Sequence, residues 1–134
     1  MEPLPARTLS VSIDAPPSLV YGFLSDPENL PRWSFFSSIT KTDEGWRAEA
    51  PQGTVGLRFA PPNELGVVDH FVQPPGRGEI PIPMRVIANG TGSEVLFTLF
   101  QILSMPDEAY AEEVEVVERD LARLKDVLEG QQPD

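Results

Sequence analysis

The chain has 134 residues, of which 40% are hydrophobic and 23% charged, so it is long enough to form a folded domain with a core of its own. Its net charge of −11 argues against binding to nucleic acid or to anionic membranes, because both need clustered positive charge. The absence of cysteine excludes a disulfide framework, a thiolate metal site and a cysteine nucleophile.

No apolar stretch reaches the roughly 18–20 residues that a membrane span requires. The first residues lack the hydrophobic segment of a signal peptide. We therefore expect no membrane insertion and a cytoplasmic location. No linker or internal repeat divides the sequence, so residues 1–134 are expected to form a single domain.

The first quarter of the chain predicts one strand and two short helices. Apolar residues alternate with Ser and Thr over 8–13, which is typical of a half-buried strand. A short helix follows over 17–24. Asp26 then suits the N-cap of a second short helix and Pro27 its first position, so that this helix should run to about Trp33.

From residue 35 to residue 101 the apolar residues recur with a period of two, which predicts six further strands. These strands are expected at 35–40, 45–50, 54–59, 66–72, 82–88 and 94–101. Short turns rich in Pro, Gly, Asn and Asp connect them, and such turns favour an antiparallel meander.

The C-terminal segment predicts one long helix from Pro106 to Glu129. Its apolar residues recur in steps of three and four, so they share one face of a helix. They are Tyr110, Val114, Val117, Leu121, Leu124 and Leu128. Pro106 suits a first helical position, and Gly130 suits the position just after the helix.

This order of elements predicts an α+β fold. A curved antiparallel sheet of about seven strands would wrap around the long C-terminal helix, with the two short helices closing one end. Such an arrangement often leaves a gap between the sheet and the helix. That gap is the expected binding site.

Five stretches of this sequence, 13–21, 24–33, 86–90, 94–100 and 117–125, carry a resemblance to a known family. They resemble the START/SRPBCC helix-grip superfamily, in particular its bacterial polyketide cyclase/dehydrase-like branch. The resemblance implies the helix-grip fold over nearly the whole chain, with a ligand between the sheet and the helix. It does not fix an activity, because the superfamily includes lipid and quinone carriers, hormone receptors, cyclases and stress proteins. Since the longer loops of larger members are missing, the cavity is expected to be small or partly collapsed.

His70 is the only histidine of the chain. We expect it to point inward, because an uncompensated buried aspartate at its neighbour Asp69 would cost more than a neutral imidazole. It would act as a general base or a polar anchor for a ligand, or it would be a sheet histidine bonded to a neighbouring side chain. Adjacent strand residues point to opposite faces, so Asp69 and His70 are not expected to form a catalytic dyad.

Arg85 and Tyr110 are two further polar candidates for the ligand site. Arg85 would bind a ligand carboxylate or enolate, or it would point outward and pair with Glu94 or Asp69. Tyr110 would offer its hydroxyl group to the cavity, or it would be a core residue with the hydroxyl group at the rim.

The remaining candidates for the cavity wall are apolar, and ordinary core packing is the alternative for each of them. They are Trp33, Phe35, Phe36, Met84, Phe97, Leu99 and Val114.

The sequence has no phosphate-binding loop, HExxH helix, nucleophile elbow or metal-ligand cluster, so no cofactor is expected. The favoured hypothesis is non-covalent binding of a small hydrophobic or aromatic molecule. A cyclase or dehydratase that uses His70, Arg85 and Tyr110 is the second hypothesis. A cavity-free module that binds a protein partner is the third. The proline-rich segment 74–83 is open to two interpretations, a lid over the cavity or a contact in a homodimer.

Overall fold

The computed structural model describes residues 2–130, and its α+β architecture confirms the predicted fold class. The strands are β1 (Ala6–Ile13), β2 (Ser38–Thr42), β3 (Gly45–Ala50), β4 (Gly53–Phe59), β5 (His70–Gln73), β6 (Ile80–Ile82), β7 (Met84–Asn89) and β8 (Gly92–Phe100). The helices are α1 (Pro17–Leu24), α2 (Leu30–Trp33) and α3 (Asp107–Gly130), and a short 3-10 helix covers Pro27–Asn29. No helix within residues 2–130 is long and apolar enough to cross a membrane.

The strands form two antiparallel sheets, one in the order β1-β8-β7 and the other in the order β2-β3-β4-β5-β6. A single bridge between Val67 and Arg85 connects them. This bridge continues the register in which His70 pairs with Ile82. The structure thus has two antiparallel sheets joined at this bridge, where the sequence predicted one curved sheet.

The sequence predicted about seven strands, whereas eight are present in the described residues. The additional strand is β6, which lies in the segment predicted as a proline-rich loop. Pro83 separates β6 from β7 because proline has no N–H to donate to the sheet. Its carbonyl oxygen still accepts a hydrogen bond from the Thr98 N–H at 3.0 Å, so β8 runs past the interruption.

The strand predicted over 66–72 begins only at His70, and the residues before it make a close approach to β7, with the Val68 N–H donating to the Met84 carbonyl oxygen at 3.1 Å. Gly66 has a φ of 73°, and a Cβ atom at this position would lie 2.2 Å from the carbonyl oxygen of Val86. Only glycine fits such a contact. The side chain of Asn63 holds the preceding loop by accepting hydrogen bonds from the N–H groups of Leu65 and Val67, at 2.9 and 3.1 Å.

Helix α3 confirms the predicted apolar stripe and packs against β1 and α2. The buried residues of this stripe are Val114, Val117, Leu121, Leu124 and Leu128. Two polar contacts fix the end of α3 to the end of β1. Lys125 Nζ donates to the Ser12 carbonyl oxygen at 2.9 Å, and Glu129 accepts from the Asp14 N–H at 2.9 Å.

Candidate functional site

The side of the sheet that faces the core, its inner face, has a closed half and an open half. Over β7 and β8 its apolar side chains are buried, and Met84 is 1% exposed. Over β3 to β6, Ala48 and Leu57 of this face are also buried, whereas five other side chains larger than alanine pack against the core and remain half-buried. They are Trp46, Val55, Phe59, Val72 and Ile82, and we call this set the open inner face. The face therefore keeps part of its apolar surface in contact with water.

Four rings form a row across the inner face. Trp46 and Phe59 pack edge to face with 6.4 Å between ring centroids, and Phe59 lies 6.1 Å from His70. His70 in turn meets Phe97 edge to face at 6.2 Å. These spacings are within the range in which aromatic contacts are favourable. The row runs from the open half of the face into the closed half, with His70 in between.

His70 points inward and is 6% exposed. Burial lowers the pKa of its imidazole to about 4, while a hydrogen bond with the Val68 backbone and the charge of Asp69 act in the opposite direction. The imidazole is therefore neutral near pH 7. A neutral imidazole can donate a hydrogen bond to a ligand or accept one from it, but with this pKa it is a weak base.

Arg85 lies on the outer face of the sheet, where its guanidinium pairs with the carboxylate of Asp69 and donates to the Met84 carbonyl oxygen at 2.9 Å. Alternation along β7 explains this position, since its neighbours Met84 and Val86 are buried. The alternative in which Arg85 is an outward partner of Asp69 thus describes the structure. Asp69 also accepts from the Met84 N–H at 2.8 Å, so it points away from His70.

Tyr110 of α3 is half-buried, and its hydroxyl group donates to the carbonyl oxygen of Leu99 at 2.8 Å. One turn further along α3, the side chain of Glu113 is exposed to solvent. Protein atoms still surround its carboxyl group in part, and this desolvation raises the pKa of Glu113. Val114 is 4% exposed and Leu99 is 5% exposed, so both belong to the packed core.

The end of α2 and the loop after it place three aromatic candidates differently. Trp33 and Phe36 are buried, at 4% and 5% exposure, whereas Phe35 is 40% exposed and stacks on Phe36 with 4.4 Å between the centroids. The predicted strand at 35–40 therefore begins only at Ser38. The first residues of the predicted strand belong to this loop instead, because the Phe35 N–H donates to Asp120 of α3 rather than to a strand.

Asp120 is the residue of this region that the sequence interpretation missed. It is 8% exposed, and burial raises the pKa of its carboxyl group to about 6. The hydrogen bond from the Phe35 N–H (3.3 Å) and the charges of Arg123 and Arg119 lower that pKa in part. A signal was present, because Asp120 lies three residues after Val117 and so on the buried side of α3.

Two grooves lie elsewhere on the surface. The larger has a volume of about 720 Å³ and lies on the outer face of β3, β4 and β5, bordered by the segment 74–79. The smaller, of about 490 Å³, lies between α1, the loop 63–66 and β7, beside the exposed side chains of Leu65 and Ile87. No group of three or more His, Cys, Asp or Glu within residues 2–130 has an arrangement that could hold a metal ion.

Solved structures share this architecture over almost its full length. The chain matches protein MLL2253 from Mesorhizobium loti with a TM-score of 0.77 and 10% identity, over 96% of this chain and 100% of that one. It matches a START superfamily protein from Mycobacterium smegmatis with a TM-score of 0.70 and 12% identity, over 95% and 99% of the two chains. The chain has the helix-grip fold of the START/SRPBCC superfamily.

A third solved structure with the helix-grip fold is the Zhui aromatase/cyclase from Streptomyces sp. R1128, with a TM-score of 0.70 and 17% identity over 96% of this chain and 93% of that one. No protein-family model and no curated protein matches the sequence. Identities this low establish the helix-grip fold and leave the activity to be argued from the residues of this chain.

Proposed function

We propose that the protein binds a small hydrophobic or aromatic molecule against the open inner face, without a cofactor. The observation that carries this proposal is the set of half-buried apolar side chains over β3 to β6, beside the buried apolar side chains of β7 and β8 in the adjoining sheet. Apolar surface left in contact with water is unfavourable, and a ligand that covers it gains that free energy. Binding pockets are commonly lined in this way by apolar and aromatic groups with few polar ones.

The aromatic row gives the proposed ligand its orientation. A flat molecule would contact Trp46 and Phe59 at the open end, with neutral His70 beside Phe59 as a hydrogen-bonding group and the Lys41 ammonium 5.7 Å from the Trp46 ring centroid. Phe97 and Tyr110 would form the inner boundary, and the buried rings of Trp33 and Phe36 would support it from the α2 side. The occurrence of the same fold in a START superfamily protein and in an aromatase/cyclase supports the binding of a small hydrophobic ligand by this protein.

The positions of the three residues considered for catalysis favour binding over a cyclase or dehydratase activity. The low pKa of His70 makes it a weak proton acceptor at neutral pH. The hydroxyl group of Tyr110 is engaged by Leu99, and Arg85 pairs with Asp69 on the outer face. Holding a ligand requires none of these groups to act as an acid or a base.

Titration with the neutral fluorescent probe N-phenyl-1-naphthylamine would test the proposal. Ile82→Asn places an amide on the open inner face, and we expect it to weaken probe binding by about tenfold or more, because it removes apolar contact area and adds a group to be desolvated. Ile87→Asn is the matched control, since Ile87 is 48% exposed on β7 and points away from the core. It should leave probe binding unchanged.

Two results would contradict the proposed function. One is the absence of saturable probe binding to the wild-type protein. The other is a loss caused by Ile87→Asn that equals the loss caused by Ile82→Asn, which would place the probe in the groove beside α1. Both variants should first be shown to have the circular dichroism spectrum of the wild type.

A further inference from the structure

We propose that the outer face of β3, β4 and β5 carries a second binding site, which takes a small aromatic anion such as an aryl carboxylate. The site is the groove of about 720 Å³ on this face. Its volume falls within the range of small-molecule pockets. Its side chains Arg47, Arg58 and Gln73 lie on the opposite side of the sheet from the open inner face, although Trp46 and Phe59 of that face also border the groove. Different variants therefore test this proposal and the proposed function.

The groove exists because a strand position without a side chain lies between two long ones. Gly56 of β4 pairs with Arg47 of β3 on one side and with Gln73 of β5 on the other. A Cβ atom at Gly56 would lie 3.7 Å from the Cβ atom of Gln73 and 3.9 Å from Nη1 of Arg47. These are ordinary contact distances, so a side chain at Gly56 would fill the floor of the groove without straining the backbone.

Arg47 supplies the positive charge that an anion requires. Its guanidinium lies above the floor at Gly56. Nη2 of Arg47 forms an ion pair with Oε2 of Glu44 at 3.0 Å. The side chain of Glu44 is 80% exposed and that of Arg47 is 46% exposed. Exposed pairs of this kind contribute little to stability, so the carboxylate of a ligand can replace that of Glu44. A guanidinium can hold a carboxylate through two parallel hydrogen bonds.

Arg58 supplies a flat surface next to this charge. Its guanidinium lies 4.0 Å above the ring of Phe71 and donates two hydrogen bonds to Glu79, at 3.0 and 2.9 Å. Glu79 therefore fixes the plane of the guanidinium rather than leaving it to rotate. An arginine held in this way stacks on aromatic rings through its free face. Glu79 holds Arg58 through two hydrogen bonds, whereas Glu44 holds Arg47 through one, so Arg58 selects for a ring while Arg47 selects for the anionic group.

These features together define the class of ligand. An aliphatic anion would use Arg47 alone, and a neutral ring would use only the Arg58–Phe71 stack. A ring that carries a carboxylate uses both. The protein as a whole carries a net charge of −11, so its long-range field repels anions, and specific donors such as these are needed to hold one.

Isothermal titration of the full chain with 2-naphthoate at low ionic strength tests the site, with 2-methoxynaphthalene as the neutral analogue. Gly56→Val fills the floor, and valine suits a strand, so this variant is expected to fold. Arg47→Gln removes the charge and keeps a polar side chain. We expect each substitution to weaken naphthoate binding by about tenfold or more. Arg7→Gln, at an exposed position of β1, is the matched control for loss of a positive charge and should change the affinity by less than about twofold.

The proposal is overturned if wild-type protein shows no saturable binding of 2-naphthoate up to its solubility limit. It is also overturned if Arg47→Gln weakens binding while Gly56→Val does not, because that result describes attraction to an exposed charge without a groove. Ile82→Asn should leave naphthoate binding unchanged. Weaker naphthoate binding by Ile82→Asn would show that naphthoate binds at the inner face. That result would refute the outer site without refuting the proposed function.

Discussion

His70 and Asp120 are both buried titratable residues, and their pKa values are displaced in opposite directions. His70 lies among aromatic rings, where loss of water lowers its pKa from 6.5 to about 4. Asp120 lies between α3 and the loop after α2, where loss of water raises its pKa from 3.8 to about 6. In both cases burial favours the neutral form. The two residues should therefore change the free energy of unfolding with opposite signs as the pH falls.

The signs follow from which state binds more protons. Between pH 6.5 and about 4 the unfolded chain protonates its histidine while folded His70 stays neutral, so stability is lost as the pH falls. Between about pH 6 and pH 3.8 the folded protein protonates Asp120 while the unfolded chain keeps the carboxylate, so stability is gained. Each difference in pKa corresponds to roughly 3 kcal/mol. The two effects should largely offset one another between pH 4 and 6.

Urea unfolding from about pH 7.5 to pH 4 would separate the two effects in single variants. Asp120→Asn keeps the oxygen that accepts from the Phe35 N–H and removes the charge, so it should be more stable than the wild type near pH 7, by up to roughly 3 kcal/mol. This advantage should disappear near pH 4. His70→Gln should gain stability relative to the wild type as the pH falls from 6.5 to 4. Differences from the wild type cancel the titration of the exposed carboxyl groups.

An Asp120→Asn variant that is less stable than the wild type at every pH would contradict this prediction, because the polar contacts of the carboxylate would then outweigh its loss of water. A difference between His70→Gln and the wild type that does not vary between pH 6.5 and 4 would also contradict it. A histidine that titrates near 6.5 by NMR in the folded protein would explain that second result and refute the burial of His70.

Two further predictions concern the fold, and thermal unfolding would check both. Gly66→Ala should lower the free energy of unfolding by on the order of 3 kcal/mol or more, because the new Cβ atom would meet the Val86 carbonyl oxygen at 2.2 Å. Gly78→Ala is the control, and it should be nearly neutral because the space around Gly78 is open. Leu128→Ala should lower the free energy of unfolding by about 2–5 kcal/mol, since Leu128 is 0% exposed. Leu103 is 83% exposed, so Leu103→Ala should lower it by less than about 0.5 kcal/mol. Equal effects within either pair would contradict the packing described for it.

Helix α3 and the meander could be predicted from the sequence because their signals are local. The stripe that includes Leu121 and Leu124 lies within seven turns of one helix, and its spacing alone defines the buried side. Alternation of polar and apolar residues likewise predicted β3 and β4, within a residue of where they lie. A signal of this kind needs no knowledge of what the element packs against.

The features that were not predicted depend on contacts between distant residues. Asp120 accepts from the N–H of Phe35, which lies 85 residues away, so no short window of sequence contains both partners. The close approach of Gly66 to Val86 likewise joins two segments that no short window of sequence contains. Which part of the inner face stays open depends on the volumes of side chains from several elements, and hydrophobic periodicity does not contain that information.

The proposed inner and outer sites are products of one strand register. The pairing of β4 with β5 sets Phe59 opposite His70 on the inner face and Arg58 opposite Phe71 on the outer face. A shift of β4 by one residue would carry the guanidinium of Arg58 into the core and the phenyl ring of Phe59 into water, and both sites would be lost together. Single substitutions at neighbouring positions act on one face only, because the side chains of Arg58 and Phe59 point in opposite directions. Arg58→Gln should therefore reduce binding of 2-naphthoate and leave binding of the neutral probe unchanged, and a parallel loss of both would show that the two probes share one site.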